Sequence, residues 1–143
     1  MTFKAKIFND LTTTELYEIL KARTTVFLLE QNIICQDLDD VDYNSLHCFI
    51  EHDSKVLAYL RAFSVDTDTV QIGRVLTLKH GQGMGKKLMN LSISEINKIF
   101  RFKRLCLNAQ KYAVGFYEKF GFKIVSDDFI EEGIIHVTMD YIK

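Results

Sequence analysis

Between Val75 and Lys87 the chain passes from an aliphatic run into a helical pattern through Gly81-Gln82-Gly83-Met84-Gly85. Three glycines in five residues at a strand-to-helix junction bring the backbone close to a ligand with no Cβ in the way. The first amides of the following helix have no partner inside it, and the helix dipole favours an anion there. A phosphate or pyrophosphate is the natural guest. Two better-known phosphate loops fail on spacing. A Walker A loop needs glycine at 80 and Ser or Thr at 87, where His80 and Lys87 stand. A dinucleotide fingerprint starting at Gly81 needs glycine at 86, where Lys86 stands.

The rest of the chain supplies strands and helices around that turn. Phe3, Ala5 and Ile7 alternate with lysines as a first strand. Thr12 and Glu15 have capping-box spacing, opening a helix with Leu16, Ile19, Leu20 and Phe27 on its apolar face. An acidic loop, Asp37 to Asn44, follows. Strands are expected over Leu46–Glu51 and Val56–Val65 with a turn at Asp53-Ser54, then over Val70–Leu78. Met89, Ile93, Ile96 and Phe100 mark an amphipathic helix over Lys86–Phe100. A strand at Leu105–Ala109, a short helix at Lys111–Phe120, and strands at Phe122–Val125 and Ile134–Ile142 complete a mixed α/β sheet with helices on its faces. With no proline in the chain, the turns fall to Gly, Asn and Asp. There is no repeat or linker-like stretch, so residues 1–143 read as a single domain.

Charge narrows the partners. A net charge of −1 argues against nucleic acid, despite a local basic cluster between Lys98 and Lys111. Cys35, Cys48 and Cys106 are odd in number and far apart, which supports neither a disulfide framework nor a metal site. They are expected to be reduced and mostly buried. With no signal-like or membrane-length apolar run, a cytoplasmic location is expected.

The segment His80-Gly81-Gln82-Gly83-Met84-Gly85 resembles the acyl-coenzyme A loop of GCN5-related N-acetyltransferases (GNAT), commonly [Gln/Arg]-x-x-Gly-x-[Gly/Ala]. His80 replaces the usual Gln or Arg, and Thr77 stands at the usual proline position. A second signature, Ala-x-x-[Leu/Phe]-Tyr-x-x-x-Gly-Phe, is matched by Ala113, Phe116, Tyr117, Gly121 and Phe122, with Gln110 where asparagine is common. Val26-Phe27, Glu30-Gln31, Gln36 to Asp40, Ile72 to Val75 and Gly133 to His136 resemble the ElaA-like branch of that superfamily.

The resemblance implies a largely antiparallel twisted sheet of about six to seven strands, with helices on both faces and splayed central parallel strands. It implies acetyl transfer from acetyl-CoA to a primary amine of a small molecule or peptide, by direct attack. Donor binding would fall to Val75, Leu76, Thr77, His80, Gly81, Gln82, Gly83, Met84, Gly85, Lys86, Gln110, Ala113, Phe116 and Tyr117, with a backbone N–H near Leu76 as oxyanion donor. Tyr117 matches the family's general acid, although a core tyrosine is its plainer reading. Glu30, His47 and His136 are candidates for the base or the acceptor cleft, although the histidines read equally as satisfied packing residues of their strands and Glu30 as a solvated helix-end side chain. Arg61 and Arg74 either bind an acceptor carboxylate or pair with nearby acids. The acidic residues Asp37, Asp39, Asp40 and Asp42 either attract a cationic acceptor or form a solvated loop. No metal is implied, and the chain is read as a monomer or homodimer. The altered His80, Thr77 and Gln110 positions keep a second reading open, a non-catalytic acetyl-CoA-binding sensor or interaction module.

Overall fold

A computed structural model describes residues 1–78 and 82–142. Its strands are β1 (Thr2–Ile7), β2 (Leu46–His52), β3 (Lys55–Ser64), β4 (Thr69–Thr77), β5 (Arg104–Gln110), β6 (Phe122–Ile124), β7 (Phe129–Glu131) and β8 (Ile134–Tyr141). The helices are α1 (Thr13–Arg23), which runs on as a π-helical stretch Thr24–Glu30, then α2 (Met84–Ile99) and α3 (Val114–Glu118). One mixed sheet has the order β1-β2-β3-β4-β5-β8-β6, with β7 also paired to β8. All neighbours are antiparallel except β4 and β5.

Local chemistry accounts for most boundaries. Thr12 accepts from the Glu15 amide while Glu15 accepts from the Thr12 amide, so the expected capping box opens α1. Asp53 and Ser54 both adopt positive φ, giving the tight turn that joins β2 to β3. The segment 111–120 differs from its expected single helix, being a 3-10 turn at Lys111–Ala113 followed by the five residues of α3. The sheet has eight strands where about six to seven are expected from sequence; the added one is β7, whose hairpin to β8 turns at Glu132 and Gly133, both at positive φ.

Two apolar layers flank the sheet. Ile19, Ala22 and Val26 pack on Phe49, Val56, Tyr59 and Leu76, so α1 covers one face. Leu88, Met89, Ile93 and Ile96 of α2 pack with Cys48, Ile50, Leu60 and Ile72 on the other. Alternation along β2 thus sends Cys48 and Ile50 to one face and Phe49 to the other. Each fully buried aliphatic side chain contributes roughly 1.5–3 kcal/mol. No helix among the described residues is long and apolar enough to cross a membrane.

The feature that positions the site is the central parallel pair. β4 and β5 are paired only from Thr69 with Arg104 to Ile72 with Leu107. Beyond that point β4 continues beside β3, and β5 beside β8 as far as Gln110 with His136. The facing edges of Gly73–Thr77 and Asn108–Gln110 are left without each other as partners. On β4 the ladder to β3 shifts at the same place, where Arg74 takes φ of 54°. This is a β-bulge, which bends the strand and increases its twist.

Candidate active site

The divergence of β4 from β5 opens a cleft of about 420 Å3. Gly73, Arg74 and Val75 line it from one strand, Leu107, Asn108 and Gln110 from the other. Tyr112, Ala113 and Tyr117 approach from the turn and α3, Glu131, Glu132 and His136 from the β7–β8 hairpin, and Asp37 and Asp39 from the acidic loop.

At one end of the cleft stands Tyr117, 8% exposed. Phe116, at a 5.2 Å centroid separation, and Phe122, at 6.2 Å, meet it edge-on and hold the ring. Burial pushes the phenol well above the usual tyrosine range, so it stays protonated at neutral pH. Its hydroxyl forms no hydrogen bond with a described residue. Nearby, Gln110 Nε2 donates to Gln31 Oε1 at 3.1 Å and ties the end of β5 to the segment after the π-helical turn.

His136, opposite Gln110 in the β5–β8 ladder, is 7% exposed and stacks on Phe129 at 5.9 Å. Its Nδ1 lies 2.7 Å from Ile134 O. A carbonyl only accepts, so Nδ1 carries the hydrogen and Nε2 keeps its lone pair in the neutral ring.

The acidic loop is not a freely solvated one. Asp37 accepts from Arg23 Nε at 3.0 Å and Arg74 Nε at 2.8 Å. Asp39 receives both terminal nitrogens of Arg61, at 2.8 and 2.7 Å. Asp42 bridges Arg23 and Arg61 at 2.8 and 2.9 Å. Hydrogen bonds from Arg61, with the charges of Arg61 and Arg74, hold the Asp39 carboxyl down at about 2. Burial alone would raise the Asp42 carboxyl, but Arg23 and Arg61 reverse that and lower it. Of the two roles weighed for Arg61 and Arg74, the structure displays pairing with nearby acids.

Of the three expected base or cleft residues, only His136 lines the cleft. Glu30 is exposed at the end of the π-helical stretch and is not among the lining residues. His47 is 1% exposed, and both ring nitrogens are engaged, with the Tyr59 hydroxyl at 2.7 Å and Asp42 O at 2.9 Å. Burial lowers its pKa, so it is a neutral strut beneath the acidic loop. Alternation along β2 explains this placement, because His47 lies between the inward pair Leu46 and Cys48. Cys35 likewise departs from expectation. It is exposed on the cleft wall, whereas Cys48 and Cys106 are buried.

The proposed donor residues divide by position. Val75, Gln110, Ala113 and Tyr117 line the cleft. Leu76 and Met84 are buried in opposite apolar layers. Gln82 and Lys86 are exposed at the start of α2, and His80 and Gly81 lie outside the described residues. Gly83 caps α2 with φ of 68° and gives the first-turn amides no side-chain cap, which suits an anionic guest. A Cβ on Gly85 would lie 3.1 Å from Phe116 Cζ and 3.6 Å from Thr77 Cγ2, a tight fit where the two signatures touch that an alanine would meet only if the Phe116 ring gave way by a few tenths of an ångström. The uncapped turn therefore fits a pyrophosphate, and the unpaired strand edges fit an extended amide-bearing arm laid between them.

Sequence reading missed Asn108, Tyr112, Glu131 and Glu132 as cleft residues. The last two were detectable, since Glu132-Gly133 between Phe129-Ile130 and Ile134-Ile135 is a hairpin signal.

The profile of the acetyltransferase (GNAT) domain matches residues 18–143. A UPF0039 protein of Schizosaccharomyces pombe is 36% identical over 97% of this chain and 95% of its own length. Protein ElaA of Escherichia coli is 32% identical over 92% of this chain and 90% of its own, and its crystal structure superposes with a TM-score of 0.92 at 28% identity, covering 99% of both chains. An acyl-CoA N-acyltransferase from Pseudomonas aeruginosa superposes equally well, with a TM-score of 0.92, 30% identity and coverage of 99% and 100%.

Proposed function

Since this chain belongs to the GNAT acetyltransferase family, whose fold it shares with ElaA, we propose that it transfers the acetyl group of acetyl-CoA to a primary amine of a small molecule or peptide. The observation that carries the reading is the parting of β4 from β5 over a cleft that also holds the Tyr117 phenol, which has no hydrogen-bond partner among the described residues. The donor's pyrophosphate would rest on the first amides of α2, with its pantetheine arm between the facing strand edges. That the P. aeruginosa relative is an acyl-CoA N-acyltransferase supports a coenzyme A thioester as donor.

In this reading the neutral amine attacks the thioester carbonyl directly. Holding the two reactants together supplies much of the rate, and a backbone N–H near Leu76, beside the bulge at Arg74, receives the developing oxyanion. His136 Nε2 takes a proton from the amine. Tyr117 gives its proton to the departing thiolate, a role that requires the protonated state its burial enforces. Asp37 and Asp39 are occupied by arginines, whereas Glu132 forms no ion pair among the described residues. The open charge at the rim is therefore acidic, and we assign the acceptor to the cationic amines.

The test is thiol release from acetyl-CoA in the presence of polyamines, amino acids and basic peptides. Amine-dependent release that collapses in Tyr117→Phe supports the assignment. Tight acetyl-CoA binding with no release for any amine would replace it with a binding or sensor role.

A further inference from the structure

We propose that Glu131 is a positioning residue for amine deprotonation, acting through His136; this rests on the reading of His136 as the base. The two residues meet across the β7–β8 hairpin, in which Phe129 pairs with His136 and Glu131 with Ile134. The hairpin fixes the imidazole in two ways, by the Phe129 ring stacked on it at 23° and by the Nδ1–H bond to Ile134 O. Nε2 then has a lone pair and no hydrogen to give. It lies 3.6 Å from Glu131 Oε2, beyond hydrogen-bonding distance.

Two acceptors at that distance have no attraction in the resting state. The proton that Nε2 takes from the amine points at the amine, so Glu131 acts by charge, as an imidazolium is gained 3.6 Å from a carboxylate. The interaction is thus gained as the amine surrenders its proton, which is when stabilisation lowers the barrier. The other carboxylates on the opposite wall, Asp37 and Asp39, are held by Arg23, Arg61 and Arg74 and are not available to the ring. The Glu131 side chain is half exposed, so it also connects the buried ring to water.

The proton count closes. The amine nitrogen forms the C–N bond and releases one proton to Nε2. The C–S bond breaks as the tetrahedral intermediate collapses, and the thiolate takes the Tyr117 proton. The imidazolium returns its proton to water past Glu131, and Tyr117 is reprotonated from solvent. Net, one proton moves from amine to thiol.

Steady-state rates on the full chain with acetyl-CoA and a cationic amine test this. Glu131→Gln is expected to lower kcat by about three- to tenfold with the KM for acetyl-CoA unchanged. Glu131→Ala is expected to regain kcat as formate is added, since a small carboxylate can occupy the vacated position. His136→Asn, whose amide keeps a donor for Ile134 O, is expected to lose about a hundredfold. A Glu131→Gln enzyme with full kcat beside an impaired His136→Asn would overturn the inference and leave the base in place. Full activity in His136→Asn would overturn both. A Glu131→Ala defect that ignores formate would make Glu131 merely structural and also end the proposal. Independently of turnover, 15N NMR of His136 should find hydrogen on Nδ1, and hydrogen on Nε2 in the neutral ring would contradict the geometry.

Discussion

Tyr117 and Gly83 illustrate how one atom can decide function or stability at a single position. Phenylalanine at 117 preserves the edge-on contacts to Phe116 and Phe122 and deletes only the hydroxyl proposed as the acid. We expect Tyr117→Phe to keep its thermal midpoint within a few degrees and its KM for acetyl-CoA, while kcat falls by about a hundredfold. Initial rates and a melting curve on the same preparation separate these effects. Because burial raises the phenol's pKa, loss of the acid should not limit turnover until beyond the ordinary tyrosine range. At Gly83 the left-handed backbone admits a Cβ only with strain, although the space around it is open. Gly83→Ala should therefore cost about 1 kcal/mol in urea unfolding and raise the KM for acetyl-CoA, because the strained cap turns the first amides of α2.

At the scale of elements, two charged clusters pin the parts that frame the cleft. Glu15 closes the capping box of α1 and also takes Lys4 and Lys6 from β1, so the helix start is fastened to the sheet edge. Burial opposes ionisation of Glu15, but the Thr12 amide and the two lysines outweigh it and bring its pKa from 4.5 to about 2. A lowered folded pKa means stability that is present above the unfolded value and lost as pH falls through the folded one. Unfolding free energy should accordingly decline between about pH 4.5 and 2, with roughly 2 kcal/mol from Glu15 once screening at the partly exposed lysines is allowed for. Glu15→Gln should flatten that slope, as read by urea titrations across the range. The second cluster is sterner. Arg23 is 0% exposed and Arg61 3%, and Asp42 is the carboxylate they share. Asp42→Ala leaves two buried guanidiniums short of an anion and is expected to cost about 3–5 kcal/mol in chemical denaturation. Replacing the exposed Asp40 by Asn, which also tolerates its φ of 68°, should cost almost nothing.

Over the whole molecule, the cleft interrupts the sheet at its centre, so a ligand that fills it ties the two halves together. Acetyl-CoA at a hundredfold excess over its Kd should add about 2.7 kcal/mol and raise Tm by about 5–10 °C. A flat melting temperature at saturating donor would contradict binding between the strands. Charge at the rim sets the acceptor trend. With Arg61 and Arg74 neutralised by Asp39 and Asp37, diamines should show lower KM than zwitterionic amino acids, and that advantage should shrink with added salt.

What the sequence determined by itself was encoded at short range. The capping box at Thr12, the turn at Asp53-Ser54, the helical stripe of α2 and the two glycine-bearing signatures involve residues within a few positions of each other. Their chemistry forces the local shape, and the signatures carried the family and Tyr117 with them. Only the tertiary structure decided which charges meet. Asp37 and Arg74 are 37 positions apart, and nothing in either neighbourhood says that the loop's carboxylates are spent on arginines from α1, β3 and β4. His47 and His136 are both strand histidines in sequence. One falls under the acidic loop and the other into the cleft, because what covers each side chain is decided by the elements packed there, and that packing is a property of the folded chain alone.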